Sequence, residues 1–83
     1  LNVVILRQGD KMSIDYSMIG MRIRQQRLSA GMTQDTAAET AGITTVYLSK
    51  IENGNANPSL NTLEKIAETL GLEIVMRVKI INE

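Results

Sequence analysis

The sequence predicts a mainly α-helical domain, built of four helices and followed by a short C-terminal β-strand. At the centre of the chain, residues 34–53 read as two short helices separated by Gly42. Apolar residues recur at helical spacing on both sides of this segment, and from Leu72 onward they alternate at the period-two spacing of a strand. Eighty-three residues allow one small domain with a modest core.

The two central helices have clear start and stop signals. Thr33 can cap the first helix with its hydroxyl, and Gly42 can end it because glycine adopts positive φ at little cost. Thr44 can cap the second helix, whose apolar stripe contains Leu48 and Ile51. Two short helices joined by a tight glycine turn form the helix-turn-helix pattern. The predicted spans are 34–41 and 45–53.

The flanking helices are predicted from their apolar stripes. The first should span 16–30. Its core face consists of Ile19, Ile23, Arg27 and Leu28, and Met18 lies beside that face. The fourth should begin after Ser59, which caps it, and end at Gly71. Its core face consists of Leu60, Leu63, Ile66, Ala67 and Leu70.

Two charged residues fall on these apolar faces. Arg27 follows Ile23 by four residues on the first helix, and Glu52 follows Leu48 by four residues on the third. A charge on a core-facing stripe usually needs a partner, so we expect Arg27 and Glu52 to pair and to join the first helix to the third. The alternative is that both side chains turn to solvent at the edges of their stripes.

Both ends of the chain favour extended structure. Residues 2–7 form a β-branched run long enough for one strand, and 8–11 read as a turn or linker. The C-terminal strand should begin at Leu72 and run for about eight residues. A lone strand is unstable in water, so it needs residues 3–6, or its copy in a second subunit, or both. Met12 is an alternative start, which would make residues 1–11 an upstream extension.

The composition argues against several kinds of site. The chain has no cysteine and no histidine, so disulfides, thiolate metal sites and the commonest general base are absent from it. We therefore expect no catalytic residues, no metal and no cofactor. No apolar run approaches the ~18 residues of a membrane span and no signal peptide is evident, so we expect a cytoplasmic protein. The formal net charge of zero counts somewhat against nucleic-acid binding, although the distribution of charge matters more than its sum.

Four sequence blocks together resemble the Cro/CI-type (XRE-like) helix-turn-helix family of small bacterial and phage regulators. They are RIRQQRLSAGMTQ (22–34), AAETAGI (37–43), YLSKIENG (47–54) and PSLNTLEKIAETLGL (58–72). The resemblance implies a lambda-repressor-like DNA-binding fold of four to five helices, in which an ion pair like Arg27–Glu52 is common. The simplest members carry a fifth helix where this chain has its strand. A C-terminal strand is similar to the arrangement in some antitoxins of the family, which pair strands across a two-fold axis.

The resemblance also implies a set of DNA-contacting residues. The second motif helix of such domains enters the major groove by its N-terminal end, and its outward positions reach the bases. By similarity, Thr45, Val46 and Lys50 occupy the base-reading positions, and Ser49 shares their outward face. The expected contacts to the DNA backbone are Thr33, Gln34, Thr44, Tyr47, Asn53 and Asn55. Tyr47 is equally well interpreted as a phosphate donor or as a packed surface ring.

These observations predict a sequence-specific transcriptional regulator, most simply a repressor, which binds double-stranded DNA as a homodimer on a near-palindromic operator. One alternative is an antitoxin that binds a toxin protein and represses its own operon. Another is a protein-interaction module that has lost DNA binding, as zero net charge would allow. No group of residues favours an enzyme. The predicted division of the chain is 1–15 as an N-terminal extension or strand, 16–71 as the helix-turn-helix domain, and 72–83 as a strand that can serve in dimerisation.

Overall fold

Four helices occupy the centre of the chain and short strands lie towards its two ends. The structure, a computed structural model, describes the backbone of residues 2–4, 6–8 and 11–75, and the side chains of residues within 14–75. The helices are α1 (Tyr16–Ser29), α2 (Gln34–Ala41), α3 (Thr45–Glu52) and α4 (Leu60–Leu70). The strands are β1 (Asn2–Val4), β2 (Leu6–Gln8), β3 (Lys11–Ser13) and β4 (Glu73–Val75). The predicted fold class is confirmed, and the predicted spans of α1, α2 and α3 differ from these bounds by at most one residue.

Side-chain caps begin the helices where the sequence predicted them. The hydroxyls of Thr33, Thr44 and Ser59 each accept a hydrogen bond at 3.1 Å from the backbone N–H three residues on. These bonds satisfy N–H groups that have no partner within the helix. Gly42 ends α2 with a φ of 75°, the left-handed conformation that glycine adopts without strain. Asp15, which the sequence analysis did not single out, caps α1 through a 3.0 Å bond from the N–H of Met18.

The core lies where all four helices meet, and it is purely aliphatic. Leu48, Ile51 and Ile66 are its largest fully buried side chains. The other buried apolar residues are Ile19, Ile23, Ala37, Ala38, Ala41, Leu63, Ala67, Leu70 and Leu72. Three of these are alanines of α2, so their small side chains bring that helix close to its neighbours. The core thereby holds α2 and α3 in a fixed relation to each other.

Two residues predicted to face the core are exposed. Leu28 is 57% exposed because, at about 100° per residue, it lies roughly 140° around α1 from the buried Ile23. Leu60 is on the correct stripe of α4 but is 48% exposed. It occupies the first turn of the helix, where it borders a surface groove together with Ile14 and Ile74.

The strands form two small sheets. β1 pairs with β4 in parallel, with Val3 opposite Ile74, so the predicted partnership between the N-terminal and C-terminal segments exists within one chain. β2 and β3 form an antiparallel pair with Arg7 opposite Met12. The run predicted as one strand thus has two partners, because residues 2–4 pair with β4 and residues 6–8 pair with β3. In the sequence, Gly9-Asp10 between β2 and β3 is a two-residue hairpin signal.

The C-terminal strand was predicted to continue beyond β4, but residues 76–81 lie outside the described residues. Within the described part of the chain, no helix combines the length and apolar character that crossing a bilayer requires.

Candidate nucleic-acid interface

The N-terminal ends of α2 and α3 lie against each other. Asp35 is the second residue of α2, and Thr45 is the first residue of α3. The Thr45 hydroxyl donates a hydrogen bond of 2.7 Å to Oδ1 of Asp35. The two helix starts, with their free N–H groups and positive dipole ends, therefore lie side by side.

One face of α3 is used for folding and the opposite face is open to solvent. Leu48 and Ile51 are buried against the core. Val46 is 67% exposed, the largest exposed fraction among the large apolar residues with described side chains. Lys50 follows Val46 by one turn and is also exposed. A large aliphatic side chain and a cation therefore stand next to each other on a helix surface that makes no contribution to the core.

Thr45 and Ser49 flank this exposed face. Both are half-buried, and they are one turn apart on α3. The structure therefore brings all four predicted base-reading residues onto one side of a single helix, with Thr45 at its N-terminal end. Whether they contact bases remains a prediction.

A buried ion pair fixes the position of α3. Nε of Arg27 donates to Oε2 of Glu52 at 2.7 Å, and Nη2 donates to Oε1 at 2.9 Å. Nη1 of Arg27 donates to the carbonyl oxygen of Met32 at 2.8 Å. The two side chains are only 8% and 1% exposed, so the predicted pair exists and the alternative with both groups in solvent is wrong. The pair joins α1, the loop before α2, and the last residue of α3.

The ion pair changes the acid–base behaviour of its arginine. Hydrogen bonding to Glu52 raises the pKa of the Arg27 guanidinium above its usual value. Desolvation by burial acts in the opposite direction, and the negative charge of Glu52 adds to the increase. Arg27 therefore remains charged throughout the pH range in which proteins are normally studied.

Gln34, a predicted phosphate contact, is hydrogen-bonded to this pair. Its Nε2 donates to Oε1 of Glu52 at 3.1 Å, and its side chain is half-buried. A primary amide carries two N–H groups, so one remains available, together with the backbone N–H groups at the start of α2. The position of Gln34 thus depends on the same carboxylate that holds α3.

Two of the other predicted backbone contacts are the capping threonines. Thr33 and Thr44 are exposed at the starts of α2 and α3, and their oxygens already accept cap hydrogen bonds. Tyr47 is half-buried and packs against the core. Its hydroxyl role stays a prediction.

Asn53 and Asn55 lie in the loop that follows α3, and both are exposed. Between them, Gly54 has a φ of 74°, and a Cβ built on it would come within 2.7 Å of the Ser17 hydroxyl. Glycine is therefore required at this turn, which brings the two asparagines to the N-terminal end of α1. Their predicted contact with the DNA backbone is not tested by this geometry.

Sequence reasoning missed the role of Asp35 at this surface. Asp35 lies in the first turn of α2, where a negative charge suits the helix dipole. The contact with Thr45 depends on how the turn at Gly42 folds one helix start back to the next. The sequence did offer one signal: the acid Asp35 is the second residue of α2, and the hydroxyl residue Thr45 is the first residue of α3.

Comparison with known proteins places this geometry in a family. The HTH_3 helix-turn-helix family model matches residues 23–75. The chain is 41% identical over 56 residues to the immunity repressor protein of Bacillus phage phi105, covering 68% of this chain and 39% of that protein. It is 43% identical over 58 residues to the HTH-type transcriptional regulator SinR of Bacillus subtilis, covering 69% of this chain and 52% of SinR. The chain thus spans about half the length, or less, of these two curated relatives.

A solved structure extends the similarity to three dimensions. The restriction-modification controller protein C.Esp1396I, crystallised as a tetramer in complex with its natural 35 base-pair operator, matches with a TM-score of 0.67 and 31% identity. The match covers 74% of this chain and 80% of that chain.

Proposed function

Because the chain belongs to the HTH_3 helix-turn-helix family, we propose that it is a sequence-specific DNA-binding transcriptional regulator, and specifically a repressor that acts as a homodimer. The observation that carries the proposal is the open face of α3. Val46 and Lys50 are exposed there, while the opposite side of the helix is buried and the Arg27–Glu52 pair holds its end. A helix held this way can enter the major groove without rearranging the core.

The side chains on the open face suit the groups that bases present in the major groove. Lys50 can donate to O6 and N7 of guanine, and Val46 can pack on the methyl group of thymine. Thr45 lies at the end of α3 that enters the groove first. Ser49 completes the proposed base-reading set.

Phosphate contacts would fix the register of the domain on the duplex. Gln34 is well placed for this role, because the start of α2 offers free backbone N–H groups and a positive dipole end as well as its amide. The other proposed contacts are Thr33, Thr44, Tyr47, Asn53 and Asn55.

The balanced charge of the chain supports a homodimer. With nine basic and nine acidic residues, one subunit neutralises few phosphates, so its affinity should be modest. Two subunits related by a two-fold axis would double the contact and would read a near-palindromic site. We assign the dimerisation role to the C-terminal segment 72–83, after the helix-turn-helix domain of residues 16–71.

The relatives support this proposal by what they are called. The phi105 protein is named an immunity repressor, SinR a transcriptional regulator, and C.Esp1396I a controller solved on its operator. An enzymatic activity has no place in the proposal, since these proteins are named as regulators. A protein that binds chromosomal DNA in a bacterial cell would act in the cytoplasm.

The proposal is tested by incubating the purified full chain with fragmented genomic DNA, at two salt concentrations, and sequencing the recovered fragments. Recovery of one near-palindromic motif is the expected result. Fragments flanking the protein's own gene, next to a toxin-like gene, would favour the antitoxin alternative. If no sequence is enriched even at low salt, DNA recognition is wrong and the protein-interaction module becomes the better interpretation.

The role of Lys50 can be tested on the recovered motif. We expect Lys50→Ala to lose about 1–3 kcal/mol of discrimination at one base pair in each half-site. Fluorescence anisotropy with single-base variants of the operator measures this loss. Lys65→Ala is the matched control, because Lys65 is an exposed lysine on α4, away from α3. Full affinity and unchanged sequence preference in Lys50→Ala would rule out a base contact by this residue.

A further inference from the structure

The hydrogen bond between Thr45 and Asp35 determines what Thr45 can offer to a base. We propose that Asp35 is a specificity-determining positioning residue: it accepts the only proton of the Thr45 hydroxyl and so makes that hydroxyl a hydrogen-bond acceptor towards DNA. The inference rests on the proposed function, because it concerns the base that α3 selects.

The proton count at this contact is fixed by chemistry. A threonine hydroxyl has one O–H donor and two acceptor lone pairs, whereas a carboxylate only accepts. The 2.7 Å separation between Thr45 Oγ1 and Asp35 Oδ1 is typical of an O–H···O bond, so the hydroxyl must be the donor. Hydrogen bonds to a charged acceptor are stronger than neutral ones. The O–H of Thr45 should therefore remain directed at Asp35 when DNA binds. The Thr45 oxygen retains only acceptor capacity.

An acceptor distinguishes the bases in the major groove. The amino groups of adenine (N6) and cytosine (N4) are donors there, while guanine N7 and O6 and thymine O4 are acceptors. The oxygen of Thr45 is compatible with the first pair and is repelled by the second. A threonine alone would serve either role, so Asp35 converts an ambiguous side chain into one that selects adenine or cytosine on the contacted strand.

The location of the two residues makes this selection relevant to binding. Thr45 is the first residue of α3, next to the exposed Val46, at the helix end that enters the groove. Asp35 is exposed and carries a negative charge towards a surface that must approach phosphates. That charge lowers the affinity for DNA of any sequence. Its effect on Thr45 increases the discrimination between bases.

The test is binding-site selection from randomised duplexes with the full chain and three variants. Thr45→Val removes the hydroxyl at nearly constant shape, and the base pair whose preference it changes is the one that Thr45 contacts. Asp35→Ala frees the Thr45 proton, so guanine and thymine should gain about 2- to 10-fold relative to adenine and cytosine at that same pair, as expected for one hydrogen bond. Glu39→Ala is the matched control, because it removes an exposed negative charge from the same helix without touching Thr45.

A second measurement changes the DNA instead of the protein, and it compares the unmodified protein with Thr45→Val. The selected adenine or cytosine is replaced by its analogue without the exocyclic amino group. Wild-type affinity should fall about 2- to 10-fold, whereas the affinity of Thr45→Val should not change.

Two results would overturn the inference while leaving the proposed function intact. One is a uniform loss of affinity in Asp35→Ala with unchanged base preference, which would mean that Asp35 only supports the packing of α2 on α3. The other is a wild-type affinity that is insensitive to removal of the amino group. If the wild-type protein enriches no sequence at all, the proposed function itself fails and the inference falls with it.

Discussion

Burying the Arg27–Glu52 pair costs free energy, and its two direct hydrogen bonds offset that cost. Removing two charges from water costs several kcal/mol per ion, which the bidentate contact and the extra bonds to Met32 and Gln34 must offset. A pair of aliphatic residues could pack in its place at similar stability. What the pair adds is a fixed position of α3, because its hydrogen bonds form only when α1 and α3 dock in one orientation.

Glu52→Ala should destabilise the domain by about 3–5 kcal/mol, because it leaves the buried Arg27 guanidinium without its partner. Such a loss is a large part of the total stability of a small domain. Urea denaturation followed by circular dichroism measures it. Glu64→Ala removes an exposed carboxylate from α4 and should change stability by no more than about 0.5 kcal/mol. A loss below about 1 kcal/mol in Glu52→Ala would show that the pair is worth no more than a surface contact.

The raised pKa of Arg27 predicts how this stabilisation depends on alkaline pH. A group whose pKa is higher in the folded state stabilises the fold fully at pH values below its unfolded pKa. This stabilisation is lost only as the pH rises through the folded pKa. An arginine is already strongly basic in the unfolded chain, and the pKa of Arg27 is higher still in the folded state. The stability difference between the wild type and Arg27→Met should therefore stay constant from neutral pH to about pH 10, as measured by urea denaturation across that range. A steady decrease over the same range would contradict a raised pKa of Arg27.

Residue-level contacts differed in how well the sequence predicted them. Arg27 and Glu52 could be matched because each is a charge on an apolar face, and a buried charge needs a partner. The contact between Asp35 and Thr45 gave no such signal, since both residues are polar and tolerate solvent. Their contact depends on the three-dimensional path of the turn at Gly42, which spacing alone does not define.

At the level of elements, α1 and α3 pack so closely that only glycine fits at one point. A Cβ on Gly20 would clash with the backbone carbonyl of Ile51 and would lie 2.8 Å from that of Glu52. These atoms belong to the last turn of α3, next to the buried ion pair. The approach of the two helices is therefore set by backbone contact as well as by the side chains.

Gly20→Ala should destabilise the domain by about 1–3 kcal/mol, the usual cost of overpacking, although alanine is the better helix former. Gln25→Ala on the exposed face of the same helix should be neutral to within about 0.5 kcal/mol. Thermal unfolding of both variants compares them directly. A Gly20→Ala variant as stable as the wild type would mean that α1 and α3 can separate without loss.

Helices were predicted more accurately than strands because their signals are local. Capping residues and glycine stops defined α2 at both ends, and the buried residues of α4 lie on its predicted stripe. The exposure of Leu28 shows the limit of this reasoning, since adjacency to Arg27 does not place a residue on the same helix face. The strands depend on partners far away in sequence, and the pairing of β1 with β4 was one of several arrangements that the alternation allowed.

On the scale of the whole molecule, the sheet of β1 and β4 brings residues 2–4 next to residues 73–75, and β4 directly follows α4. A two-stranded sheet is marginally stable in water unless it packs on other structure. Ile74 of β4 is half-buried and packs against the helical core. The helical core therefore supports β4 through Ile74, on a part of the chain separate from the exposed residues of α3.

Operator spacing provides a test of that dimer that does not depend on any single side chain. A two-fold dimer presents its two α3 helices to one side of the duplex, with half-site centres ~34 Å apart or a multiple of that distance. Inserting about five base pairs between the half-sites turns one of them to the opposite side, so affinity should fall towards that of a single half-site. Inserting about ten base pairs returns both half-sites to the same side of the duplex. This insertion should recover more of the affinity than the five-pair insertion does. Anisotropy titrations of the three duplexes measure this pattern, and equal affinity for all of them would show that the subunits bind independently.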